Sequence, residues 1–310
     1  MKNVLSVLLL MAAAGLSPAA DKSASRPPIV GVANIWVKTA NAEASRNFYE
    51  RVLGLQQAFT LKRAGRPGVA CYKVNDRQYV LVSPELKGAA EDRLVQIGFE
   101  TKDAAQLRAY LAAHGVAVPA KLARDADGNL SFTVTDPAGR TVEFVQYLPG
   151  SVQGRSNGKL LGDARVSDHI LHVGIHITDA DLEKEDGFYQ GLLGFRPLWK
   201  GGMTDAHMDW ISLEVPDGGD WVEYMVNSRS DITPAQLGVM HHFCLGTLDI
   251  QSVYRKVMDR GYKPPQEPHV ARDGRWLMNL FDPDLTRAEV MIRKPVQTPC
   301  CSPMHDDRDQ

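Results

Sequence analysis

The sequence has little excess charge of either sign, few cysteines, and no long apolar run beyond its first residues. A net charge of −2 gives no reason to expect nucleic acid or an anionic membrane as a partner. The four cysteines do not suggest a disulfide framework: Cys71 and Cys244 lie in apolar, strand-like runs, and Cys300 and Cys301 are neighbours near the C-terminus. A chain of 310 residues can build its core without bridges. A Cys71–Cys244 bridge stays open on the sequence, and the tail pair, with His305 and Asp306, offers at most a stray metal site. No segment after residue 20 is apolar enough to span a membrane.

What is present begins with a leader-like segment. Lys2 supplies a positive start, Val4–Leu16 an apolar core, and Ser17-Pro18-Ala19-Ala20 a small-residue cleavage context. Residues 1–20 are therefore expected to be a signal peptide and the mature protein to be exported, to the periplasm or beyond the cell, with no membrane segment. Residues 21–28 are expected as a linker, 149–167 as an interdomain linker rich in Gly150, Gly154, Gly158 and Gly162, and 295–310 as a disordered tail.

Between these segments one pattern recurs four times. An apolar strand runs into a capped helix, a glycine stops the helix, and strands follow. The copies are headed by Asn34, Gln96, His172 and His242. In the first, Val30–Thr39 reads as a strand, Asn41 as the N-cap of a helix to Leu53, and Gly54 as its stop; Leu55–Lys62, Val69–Val74 and Gln78–Ser83 are the next strands. The second copy runs from Leu94, with Asp103 as cap, through strands at Val116–Leu122, Leu130–Thr135 and Thr141–Tyr147. The third opens at His169, with Asp179 or Asp181 as cap and Gly194 as stop, and the fourth at His242, with a helix over Ile250–Arg260. His172 follows Asn34 by 138 positions, while His242 follows Gln96, and Glu289 follows Glu143, by 146. The fold class expected is α+β: four βαβββ units paired into two domains, 29–148 and 168–294, each curved around a cleft.

The second pair of units collects His172, Glu223, His242 and Glu289 at equivalent places. Two neutral imidazoles and two carboxylates balance one divalent cation, and mixed nitrogen and oxygen donors suit Fe(II), Zn, Mn, Co or Ni better than calcium. Four side chains leave open positions where substrate or water can bind. In the first pair the same reasoning collects Asn34, Gln78, Gln96 and Glu143, which carry one carboxylate and no imidazole, so no tight metal is expected there. His176 shares the strand face of His172 and is a candidate acid or base beside Glu223 and Glu289; His169, His207 and His241 are weaker candidates.

These residues resemble the vicinal oxygen chelate superfamily, which includes glyoxalase I, bleomycin-resistance proteins and extradiol dioxygenases. The resemblance rests on the paired units, the helix ends Phe48–Leu55 and Phe188–Phe195, and the closing strands in which Glu143 and Glu289 lie seven residues after Asp136 and Asp282. It covers about 29–293. It implies two glyoxalase-like domains and a metal-dependent enzyme that chelates a small substrate through vicinal oxygens, by dioxygenase or by isomerase or lyase chemistry. All four residues match the glyoxalase ligand pattern; the extradiol pattern takes His172, His242 and Glu289, and wants a tyrosine where Asn279 stands. The alternative is a non-catalytic protein that sequesters a small molecule. A homodimer is compatible with either reading.

Overall fold

The computed structural model describes residues 25–226 and 232–305. The leader-like segment and residues 21–24 lie outside them. No helix among the described residues is long and apolar enough to cross a membrane.

The N-terminal domain comprises β1 (Ile29–Lys38), α1 (Ala42–Arg46, widening over Asn47–Val52), β2 (Gln56–Arg63), β3 (Arg66–Lys73), β4 (Tyr79–Ser83), β5 (Leu94–Thr101), α2 (Ala104–Ala113), β6 (Ala123–Arg124), β7 (Leu130–Thr135) and β8 (Thr141–Gln146). After α3 (Val152–Arg155) the C-terminal domain repeats the order. It has β9 (Ile170–Ile177), α4 (Leu182–Asp186, widening over Gly187–Leu192), β10 (Arg196–Gly201), β11 (Trp210–Glu214) and β12 (Trp221–Val226). Then come α5 (Pro234–Met240), β13 (His242–Thr247), α6 (Ile250–Asp259), β14 (His269–Val270), β15 (Trp276–Phe281) and β16 (Arg287–Ile292). Each domain is one eight-stranded sheet, in the orders β2-β3-β4-β1-β5-β8-β7-β6 and β10-β11-β12-β9-β13-β16-β15-β14. The two units of a domain join through an antiparallel pair, β1 with β5 and β9 with β13.

Local chemistry explains the repeated helix. The Asn41 carboxamide accepts from the amides of Glu43 and Ala44, a cap that satisfies first-turn donors. The helix then widens to i→i+5 bonds, with Leu53 donating to Phe48 and Leu193 to Phe188. Gly54 and Gly194 follow at φ +70° and +75°, the left-handed turn that a side chain resists. Asp181 takes the N-cap position of α4, but its carboxylate accepts from the Thr178 hydroxyl at 2.7 Å and makes no cap bond.

The expectations for Val116–Leu122 and for 295–305 are corrected. Val116–Leu122 is not a strand; only Ala123–Arg124 pairs there, at the sheet edge, because Pro119 interrupts the run and offers no donor to a ladder. Residues 149–167 carry α3, and the carbonyls of Ser156 and Lys159 accept from the fully buried Lys73 ammonium at 2.6 and 2.9 Å. Residues 295–305 are ordered. Val296 and Gln297 donate to Gly274, Cys300 to Arg272, and His305 to Leu198. The tail thus touches both β10 and the turn after β14, the two edges of the C-terminal sheet, so that sheet curls until its edges share one segment. Cys300 and Cys301 are joined to each other within it, whereas Cys71 and Cys244 are free and buried.

The domains pack around one continuous apolar core that includes Val32, Phe99, Val173 and Phe243. Their contacts are reciprocal. The Tyr49 hydroxyl donates to Asp282 of the other domain at 3.1 Å, and its counterpart Tyr189 donates to Asp136 at 3.3 Å. The Gln78 amide donates to Asp220 at 3.0 Å and exchanges bonds with the backbone of Ile170, while Asp220 accepts from Val32. Val173, Ile175 and Ile177 turn into this core, so β9 presents His172 and Gly174 on its other face.

Candidate metal centre in the C-terminal domain

The four residues collected from the sequence stand on four adjacent strands, β12-β9-β13-β16, at the middle of the sheet. Register sets them in two rows. Glu223, Gly174 and His242 are mutual partners in one, and His172, Cys244 and Glu289 in the next. The Nε2 atoms of His172 and His242 lie 3.0 Å apart. Glu223 Oε2 is 3.8 Å from the first and 3.4 Å from the second, and Glu289 Oε2 is 3.8 Å from His242 Nε2. Three strands thus bring one nitrogen or oxygen each to a common point, and a fourth joins them through His242.

Both imidazoles are wholly buried, and burial holds each well below the usual histidine range, so both are neutral and carry a lone pair. His242 Nδ1 donates to the Met240 carbonyl at 2.8 Å, which leaves Nε2 as the bare nitrogen facing the cluster. Burial pushes Glu223 up to about 7 and Glu289 up to about 8. Glu289 Oε1 is a buried oxygen with no partner among the described residues. Convergent imidazole nitrogens, two desolvated carboxylates and an unsatisfied oxygen are a costly set to bury without a cation. The donor set fits a divalent metal that His172, His242 and Glu223 would hold, with Glu289 in reach beside His242. Cys244, which the sequence reasoning passed over, also faces the cluster; burial and Glu289 push its thiol up, so it stays protonated.

Gly174 makes room. A side-chain carbon there would overlap the His242 imidazole, so only glycine lets that ring lie across β9. A cavity of about 330 Å³ opens onto Glu223 and Glu289, walled by Trp199, Met203, Trp210, Leu277 and Met291, with Asn279 and Arg287 beside the carboxylates. Arg287 is the other residue that the sequence reasoning missed. Lying two positions before Glu289 on β16, it shares that residue's face, a signal available from strand periodicity alone.

His176 is not brought into this group. It is one row further along β9, paired with Met225, and its pKa, lowered to about 4 chiefly by burial, next feels His241 and Arg140. His169 pairs with Asp220, His207 with Asp209, and His241 with Asp92.

The N-terminal domain repeats the position with other chemistry. Asn34 pairs with Tyr79 as His172 pairs with Trp221, so the counterpart of Glu223 is Leu81 and not Gln78. Gln78 is taken up by the interface instead. Glu143 Oε2 accepts from the amides of Asn34 and Gln96, both at 2.9 Å. Trp36 holds the place that Gly174 holds in the other domain, and it pairs with Gln96.

The model of the glyoxalase, bleomycin resistance protein and dioxygenase superfamily matches residues 31–144 and 168–290. Among solved structures, the Mn(II)-bound glyoxalase from Novosphingobium aromaticivorans is 14% identical, aligned over 86% of this chain and 83% of its own, with a TM-score of 0.63. The 2,3-dioxygenase LapB from Pseudomonas sp. KL28 is 14% identical over 89% of this chain and 97% of its own, at 0.65. Homoprotocatechuate 2,3-dioxygenase from Arthrobacter globiformis is 17% identical over 89% and 84%, at 0.62. These likenesses are of fold. No curated protein matches the sequence.

Proposed function

This chain belongs to the glyoxalase, bleomycin resistance protein and dioxygenase superfamily, and from that premise we propose that it is a metal-dependent enzyme that moves a proton on a small substrate chelated through vicinal oxygens. His172, His242 and Glu223 would hold the cation, and Glu289 would complete the set. The observation that carries this reading is the Glu223 carboxylate, within 3.4 and 3.8 Å of the two imidazole nitrogens. A bound cation of this kind polarises the chelating oxygens and stabilises the negative charge that grows on them. The protein's own part is proton handling. Glu223, the carboxylate nearest both imidazole nitrogens, would accept a proton from the carbon beside those oxygens on leaving the cation. The cavity walls shield the developing charge from water, and the sheet holds the donors more rigidly than loops would.

The second reading, ring cleavage with dioxygen, takes only three of the four donors and leaves Glu223 unexplained. Asn279 stands opposite Glu289 where a phenolic acid would be wanted, and no tyrosine lines the cavity among the described residues. The leader-like residues 1–20 support export as part of the same proposal, checked by the mass of the mature N-terminus.

Metal analysis tests the core of the reading. The purified protein should hold about one equivalent of a divalent transition metal, lost in His172→Ala and in His242→Ala but kept in Asn34→Ala. Less than about a tenth of an equivalent, with none taken up on dialysis, would sink it. For the chemistry, α-hydroxyketones in D2O should gain deuterium at the carbon next to the carbonyl, and Glu223→Gln should slow this by about 10²–10⁴-fold. Oxygen uptake with catechols, in place of deuterium exchange, would move the protein to the dioxygenase reading.

A further inference from the structure

We propose that Arg287 forms an anion subsite beside the metal donors, so that the substrate carries a carboxylate next to its chelating oxygens. The inference rests on the functional reading above and sharpens it to a substrate class.

Charge around the cavity singles out this residue. The two glutamates would balance a divalent cation. Asp273 is paired with Arg275 at 3.0 Å, and the Arg275 guanidinium also lies over the Trp221 ring. At the mouth Arg272 is paired with Asp205. Arg287 has no carboxylate at hydrogen-bond distance. Its Nη2 is 2.8 and 2.9 Å from the two ring nitrogens of His242 and 3.6 Å from the Met225 sulfur. The nearest carboxylate oxygen, Glu289 Oε2, is 3.9 Å away, too far for a hydrogen bond. Its Nε is buried and has no partner among the described residues.

A largely buried guanidinium with an unused Nε donor and no carboxylate at hydrogen-bond distance is costly unless something anionic meets it. The planar fork of arginine is matched by a carboxylate, which accepts two parallel bonds. Trp199, Trp210 and Met203 wall the same cavity, and 330 Å³ admits one substituted ring or a short chain. The ligand class that satisfies all of this has vicinal oxygens, one fixed carboxylate and an apolar body.

2,3-Dihydroxybenzoate and its neutral isostere 2,3-dihydroxybenzamide are suitable probes for the Mn(II)-loaded protein, with Kd read from quenching of tryptophan fluorescence and metal content measured alongside. The wild type should prefer the carboxylate by about tenfold or more, as expected for a charge-assisted contact. Arg287→Gln should cut that preference to within about threefold while keeping one equivalent of metal, and Arg287→Lys should fall between. An undiminished preference in Arg287→Gln at full metal content, or no preference in the wild type, overturns the subsite. Metal loss in both variants makes Arg287 a buttress of the donor set, which also overturns it. If the wild type holds no metal, the functional reading fails before this one is reached.

Discussion

A single methyl group at residue 174 tests how the site is built. Gly174 is no ligand, yet a side-chain carbon there would meet the His242 ring. Gly174→Ala is therefore expected to lower bound metal to about a tenth of an equivalent or less, with an unchanged circular dichroism spectrum, because the imidazole must leave its place over β9. The same residues give a pH dependence. Folding raises Glu223 to about 7 and Glu289 to about 8, so between about 4.5 and 8 the cation-free folded state binds more protons than the unfolded chain. Its stability then falls as pH rises through that range. Metal reverses the sense, since both carboxyl groups must lose their protons to bind it. Affinity for Mn(II) should climb by about tenfold for each proton released per pH unit and flatten above about pH 8, as titrations between pH 5.5 and 9 would show. The histidines, already neutral, add nothing to that slope.

At the scale of the element, much was legible in the sequence. The four strand heads, the caps at Asn41 and Asp103 and the stops at Gly54 and Gly194 follow from periodicity and local hydrogen bonding, which act over a few residues. That His172, Glu223, His242 and Glu289 come together was legible for the same reason, because a repeat transfers a position from one copy to the next. What failed depended on register. Gln78 was matched to Glu223, but β4 pairs with β1 so that Leu81 falls there, and pairing between strands is not written in either strand alone. Arg287 and Cys244 escaped because their meaning comes only from the neighbours that the sheet supplies. The tail was misjudged for a related reason: its polar composition conceals backbone bonds to both edges of the sheet. Ending the chain at Val296 should leave the metal in place, lower stability by about 1–3 kcal/mol, and raise acrylamide quenching of the cavity tryptophans, since the Trp199 indole now donates to the Cys300 carbonyl.

At the scale of the molecule, the question is whether a chain whose proposed metal centre lies in its C-terminal half behaves as two domains or as one body. Its reciprocal contacts argue for one. Tyr49 and Tyr189 each reach the closing turn of the opposite domain, Gln78 and Asp220 meet at the interface, and the core runs through both halves without a break. Burial raises Asp282 to about 6, which marks the turn that receives Tyr49 as well removed from water. A metal bound to the C-terminal domain therefore stabilises the N-terminal domain too, although that half has Asn34, Leu81 and Gln96 where the other has donors. At about a thousandfold excess of cation over Kd the gain is about 4 kcal/mol, and the whole thermal transition should move up by several degrees as a single peak. Tyr49→Phe should lower that peak by an amount equivalent to about 1 kcal/mol without splitting it. Two peaks, only one of them moved by the cation, would mean that the halves unfold independently and that the first domain gains nothing from the metal in the second.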